Sequence, residues 1–246
     1  MRQLFFIFFI LITAQTYAVR PFITDDAAVV GRRLLQLETW AMFNRFSGEQ
    51  WNMLAYGPND RLEFSVGGVW GYDRPQSQRS EFSYATPLVQ AKYLFREFQT
   101  NQPPGVAMVV GTALPTGKGA FVPSGHGAYG FLAFTQCFGE NENVLIHGTV
   151  GANYLNTNNQ NKFIGFLGIG TQIRAYKGLH VVAEIVSGDP FEPGTGLIYQ
   201  TGFRYFINDL IQLDATIGQG IAGKEKVPFW GSFGARFVMT KFEKKK

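Results

Sequence analysis

His126, His147 and His180 are the only imidazoles in the 246 residues, and they are the first candidates for acid–base or metal chemistry. Either chemistry needs them close in space with carboxylates or further ligands. In extended chain, His147 and His180 fall on one face, two strands apart, and Glu184 shares the face of His180. A lipid hydrolase using Ser, His and a polar orienter could be built there, with His147 or His180 as base. No G-x-S-x-G or H-x-x-x-H spacing accompanies them, and polar lining of an interior is the plainer alternative. The stretch "GTALPTGKG" invites comparison with a phosphate-binding loop, yet its Gly-to-Gly spacing is wrong and Gly119 stands where Ser or Thr should hold magnesium. The expected set is therefore no catalytic residue, no metal and no cofactor. Cys137 is alone, so no intramolecular disulfide can form, and its apolar neighbours suit an inert thiol.

The more informative chemistry is a set of charges that alternation places on one face. These are Glu38, Glu63, Glu184 and Asp214 against Arg61, Lys92, Arg96, Arg174, Arg204 and Arg236. Around a pore such charges set ion selectivity, and mixed signs can also cross-link into a closed lumen. The modest excess of Arg leans toward anionic solutes. Leu132, Phe134 and Phe166, read as inward, offer an apolar path instead.

What positions these residues is a period of two. From Arg61 to Asp73, Leu62, Phe64, Val66, Trp70 and Tyr72 share one face, and Arg61, Glu63, Ser65 and Asp73 share the other. The same split recurs around Tyr93, Ile146, Ile169, Phe203 and Leu213, and helical spacing would mix the two sets on every face. With the stretches near 34–46, 51–56, 106–114, 129–138, 179–187 and 229–241, this gives about twelve strands, an even number as bacterial single-chain barrels have. After the leader no apolar run reaches helix-spanning length, so a membrane would have to be crossed with strands.

Composition agrees. Charged residues make up only 16% of the chain, while Phe (24), Tyr (10) and Gly (29) are abundant, which suits an outer surface that meets lipid. The net charge of +4 is scattered apart from Lys244 to Lys246, so no nucleic-acid partner is expected. Links near 58–60, 99–103, 139–143, 176–178 and 207–209 read as short periplasmic turns. Those near 74–81, 115–128, 156–162, 188–195 and 218–227 read as longer external loops. On this topology Trp70, Tyr72, Tyr129, Tyr154, Phe163 and Phe229 band near the outer rim, and Tyr93, Phe95, Tyr205 and Phe237 near the periplasmic rim.

The first residues read as an export signal: Arg2, an apolar stretch from Leu4 to Ile12, and the small-x-small pattern ending at Ala18. Residues 1–18 are thus a cleaved signal peptide and 19–246 one outer-membrane barrel domain. Residues 19–32 form either a tie at the periplasmic mouth or a small plug. The last strand places Ser232, Gly234, Phe237 and Met239 in a spacing similar to the assembly signal of outer-membrane barrels, which names the barrel-assembly machinery as a partner during biogenesis.

Two stretches carry a family resemblance: "RPFITDDAAVVGRRLLQLE" from Arg20 to Glu38, and "LPTGKGAF" from Leu114 to Phe121. They resemble the transporter-like outer-membrane proteins named for the meta-pathway of phenol degradation. The resemblance implies passage of small organic molecules and assigns no residue a role. Within the first motif, which opens at Arg20, Pro21 fixes an extended backbone, and Asp25 and Asp26 could cap a turn or pair with inward Arg residues at the barrel mouth.

The sequence thus reads as an all-β, antiparallel up-and-down transmembrane β-barrel in the bacterial outer membrane. Its partners are outer-membrane lipid and a small organic solute, aromatic or fatty compounds among the candidates, carried passively and without catalysis. An outer-membrane lipid hydrolase and a structural or adhesive barrel are the alternatives. The residues expected along the solute path are Glu38, Glu63, Lys92, Arg96, His147, Arg174, His180, Glu184, Arg204, Asp214 and Arg236.

Overall fold

The computed structural model describes residues 22–74, 81–139, 143–157, 160–189, 196–223 and 227–239. The expected signal peptide over residues 1–18, Arg20, Pro21 and the terminal lysines lie outside the described residues. Thirteen strands form one sheet: β1 (Leu35–Asn44), β2 (Ser47–Tyr56), β3 (Leu62–Asp73), β4 (Glu81–Arg96), β5 (Gly105–Ala113), β6 (Gly117–Lys118), β7 (His126–Phe138), β8 (Val144–Thr157), β9 (Gln160–Tyr176), β10 (Leu179–Ser187), β11 (Leu197–Asn208), β12 (Ile211–Ala222) and β13 (Trp230–Met239). All but the two-residue β6 match the twelve segments read from period-two patterning.

Each long strand is antiparallel to its sequence neighbour, and β1 closes on β13 with Leu35 opposite Met239 and Asn44 opposite Trp230. Closure leaves no unpaired edge, which is the condition for strands to cross hydrocarbon. The outward face is apolar, with Phe163 at 77% and Tyr72 at 58% exposure, while inward Glu38, Lys92 and Arg236 are each 1% exposed. The polar residues are inside and the greasy ones outside, the reverse of a water-soluble sandwich.

Three expectations need correction. Leu132 is 37% exposed and faces outward with Phe134, while Tyr129, Phe131, Thr135 and Cys137 are the inward set of β7. Tyr129 therefore leaves the outer aromatic band, and its hydroxyl donates to Gln90 Oε1 at 3.0 Å. Both faces of β7 are apolar over this stretch, so alternation alone did not fix which pointed in.

The third correction concerns the loops. The connections 74–80, 114–125, 188–196 and 223–229 are the longer external links, but β8 runs to Thr157 and β9 begins at Gln160. Cross-strand contacts extend that hairpin: Tyr154 packs on Phe163 at 5.1 Å between centroids, and its hydroxyl donates to Asn161 Oδ1 at 2.9 Å. On the periplasmic side, 97–104 is as long as an external loop, because Phe98 turns inward to pack on the barrel floor beside Leu94 and Ala107.

The "LPTGKGAF" motif has a structural job. Beyond the end of β5, Gly117 and Lys118 pair with Ala85 and Tyr84 as β6, so the longest loop continues the sheet where β5 stops. Gly117 and Gly119 hold φ of 129° and 87°, and a Cβ on Gly119 would stand 2.1 Å from Ser83 Oγ. Only glycine suits both demands. No helix follows Lys118, as a phosphate-binding loop would need.

Candidate functional site: an occupied lumen

Residues 22–30 run through the barrel interior, and the chain then reaches solvent at Arg32 and Arg33, where Arg33 N donates to Gly57 O of the β2–β3 link, before it enters β1. Phe22, Thr24, Asp25, Asp26, Ala27 and Val30 are all buried. Such a segment makes no strand pairs, so its amides must find side-chain acceptors. They do so around the wall. Ile23 N and Thr24 N donate to the two oxygens of Glu184 on β10 at 2.7 and 2.8 Å. Asp25 N donates to Thr149 Oγ1 on β8 at 3.0 Å, Ala27 N to Thr135 Oγ1 on β7 at 2.9 Å, and Val30 N to Glu63 Oε2 on β3 at 2.8 Å. Local turns add two more: Asp26 N donates to Asp25 Oδ1 and Ala28 N to Asp26 Oδ1.

A buried ion-pair cluster lies at the middle of this segment. Lys92 Nζ lies 2.8 Å from Asp25 Oδ1 and 3.3 Å from Asp26 Oδ1. Glu63 stands opposite Lys92 in the β3–β4 register, so three carboxylates surround one ammonium. Burial pushes the Asp25 carboxyl up to about 6, against the pull of Lys92 and with some help from Asp26. Toward the periplasm, Ala27 and Ala28 pack with Leu94, Phe98, Ala107, Cys137 and Leu145 into an apolar floor.

Of the residues expected along the path, nine face the interior and are buried: Glu38, Glu63, Lys92, His147, His180, Glu184, Arg204, Asp214 and Arg236. Opposite charges meet in register, Arg204 facing Asp214 and Glu38 facing Arg236. Arg204 also donates to Gln172 Oε1 and lies 5.5 Å from the Phe22 ring. Arg96 and Arg174 are exposed at the periplasmic ends of their strands, and Arg96 Nε donates to Pro104 O at 2.7 Å. The apparent surplus of inward Arg is therefore reversed: among the described residues six buried carboxyl groups, Asp25 and Asp26 included, share the interior with Lys92, Arg204 and Arg236.

The two inward histidines are not brought together. His147 Nδ1 bonds Thr135 Oγ1 at 3.1 Å and its ring meets Phe22, whereas His180 Nδ1 bonds Gln172 Nε2 at 3.1 Å and its ring meets Phe206. Among the described residues no serine hydroxyl bonds either ring, and no cluster of three metal-ligating residues occurs.

Away from that apolar floor, the same segment borders a cavity of about 100 Å³ at Phe22, Ile23 and Asp25. Trp40, Trp51, Trp230 and Phe131 wall it. Sequence patterning placed Trp40 on the inner face but did not single out this aromatic group. Its signal was available: three of the chain's four tryptophans sit at inward phase.

No family model matches the sequence, and no curated protein matches it. Solved structures do resemble the fold. An outer membrane channel from Pseudomonas putida F1 aligns with a TM-score of 0.66 at 10% identity, over 87% of this chain and 98% of that one. A KdgM porin in complex with disordered oligogalacturonate gives 0.59 at 9% identity, over 83% and 99%, and the NanC porin gives 0.53 at 8%, over 85% and 100%. The chain has the fold of these outer-membrane barrels: a closed antiparallel cylinder with an apolar outer face. At these identities the likeness carries architecture, and what the barrel does must be argued from its own interior.

Proposed function

We propose that this barrel is a passive, non-enzymatic channel for small organic solutes whose resting lumen is stoppered by its own N-terminal segment. The observation that carries the reading is the way residues 22–30 are held: by side-chain bonds and ion pairs to the wall, with no strand pairing. A structural stave would gain more from joining the sheet. A removable stopper needs many contacts that can be broken without opening the cylinder. The likeness to channel and porin folds supports the same view, and the Arg20–Glu38 and Leu114–Phe121 motifs support kinship with the transporter-like family named for the meta-pathway of phenol degradation.

The test compares the intact barrel with a variant lacking residues 22–30 in planar bilayers. Brief, rare openings of the intact barrel and long-lived, larger steps of the variant are expected. Silence from both, together with no solute-driven swelling of liposomes carrying either, would end the channel reading. The hydrolase alternative loses ground because the Thr135 hydroxyl beside His147 is fully buried and already accepts from Ala27 N, while His180 bonds only the Gln172 amide, in a separate place.

A further inference from the structure

Tryptophan in a membrane barrel ordinarily sits outward, at the boundary between hydrocarbon and water. Here Trp70 does so, at 49% exposure, but Trp40, Trp51 and Trp230 turn inward and line one cavity. Trp40 and Trp51 are register partners on β1 and β2, and their rings stack with centroids 5.6 Å apart and planes 3° from parallel. Trp230 on β13 fits because its neighbour on β12 is Gly218, where a Cβ would strike the indole at 2.2 Å. Room has thus been left for an aromatic wall, and Phe131, Met42 and Met53 extend it.

The polar part of the lining has one sign. Asp25, Glu38 and Asp189 are the ionisable groups, and Asn52, Gln90, Gln200 and Ser232 are neutral. Among the described lining residues there is no Lys, Arg or His, although Lys92, Arg204 and Arg236 lie elsewhere in the same lumen. Aromatic faces carry negative potential, and in a partly dehydrated pocket they attract cations and repel anions. The lining carboxylates add to this only in part, because Asp25 is ion-paired with Lys92 and Glu38 faces Arg236, but those cations do not themselves line the cavity. An anionic solute would have to shed water against both.

We infer that this cavity binds small organic cations, a protonated amine borne on an apolar or aromatic body. The inference rests on the channel reading for its purpose, but binding can be measured without conduction. Three probes of one shape separate charge from fit: phenethylammonium, 2-phenylethanol and phenylacetate. Titrated into the intact, detergent-folded barrel at neutral pH, phenethylammonium should quench tryptophan fluorescence saturably. It should bind about tenfold more tightly than the alcohol, with phenylacetate weakest.

Trp51→Leu should lose most of that quenching and affinity, and Glu38→Gln should narrow the gap between ammonium and alcohol. Heat-shift on denaturing gels identifies folded variants, and the three-probe ranking on the unmodified barrel decides the matter even if neither variant folds. Equal affinities, a preference for phenylacetate, or no saturable quenching would overturn the inference. Liposome swelling with the same solutes reads the channel separately. Swelling without ammonium binding sinks the cation site alone, and ammonium binding without swelling sinks the channel alone.

Discussion

Lys92 Nζ stands 2.8 Å from Asp25 Oδ1, so a residue of the wall and a residue of the segment inside it form an ion pair almost wholly removed from solvent. Such pairs are weak evidence of net stability, but breaking one leaves an uncompensated buried charge at a cost of about 3–5 kcal/mol. Lys92→Met should therefore release the plug, seen as a higher open fraction in bilayers and faster proteolysis ahead of Leu35. Adding Asp25→Asn and Asp26→Asn should restore closure. A Lys92→Met barrel as quiet as the parent would show that this contact does not hold the segment.

The same carboxyl predicts a pH response. In the docked segment Asp25 titrates near 6, raised by burial from an ordinary 3.8 that it would regain when released into water. A raised carboxylate favours the docked form as protons are added, so this group opposes docking fully above about pH 7 and progressively less as pH falls from about 6 toward 4. The open fraction should fall on acidification, by at most about tenfold per pH unit for one proton. Asp25→Asn should flatten that dependence. An open fraction that rises with acid would contradict the assignment.

Glu184 accepts the amides of Ile23 and Thr24 and also a bond from Gln200. Glu184→Ala strands those donors in the interior at about 1–3 kcal/mol each. Hydrogen exchange at the two amides should accelerate sharply, while exchange in β10 itself changes little. Glu184→Gln, which keeps one acceptor oxygen, should fall between.

In the longest loop, Gly119→Val would place a branched side chain at φ 87° and against Ser83. The strain is on the order of 1–3 kcal/mol and should peel β6 from β4. Trypsin then reaches Lys118, which the parent barrel protects by pairing it to Tyr84. Equal cleavage rates in the two proteins would remove the structural role given to this motif.

How far the sequence reached depends on what each feature needs. The strands were legible because β3 and β11 alternate cleanly, with Glu63 and Arg204 falling opposite apolar neighbours. β7 was misread because Phe131 inside and Leu132 outside are both apolar, so period two carries no sign. Asp25 and Asp26 read as partners for inward Arg at the barrel mouth, but their partner is Lys92, because the segment travels deeper than the mouth. The aromatic cavity was the least visible. It needs β1, β2 and β13 side by side, and that adjacency comes only from closing the cylinder.

Leu34 passes directly into Leu35, the first residue of β1, so the stopper is leashed to the pipe it closes. A displaced segment stays at an effective local concentration that short tethers hold around the millimolar range. For the proposed stopper, reclosure is therefore a first-order event, indifferent to how many copies crowd the membrane, with no second molecule recruited to end a passage.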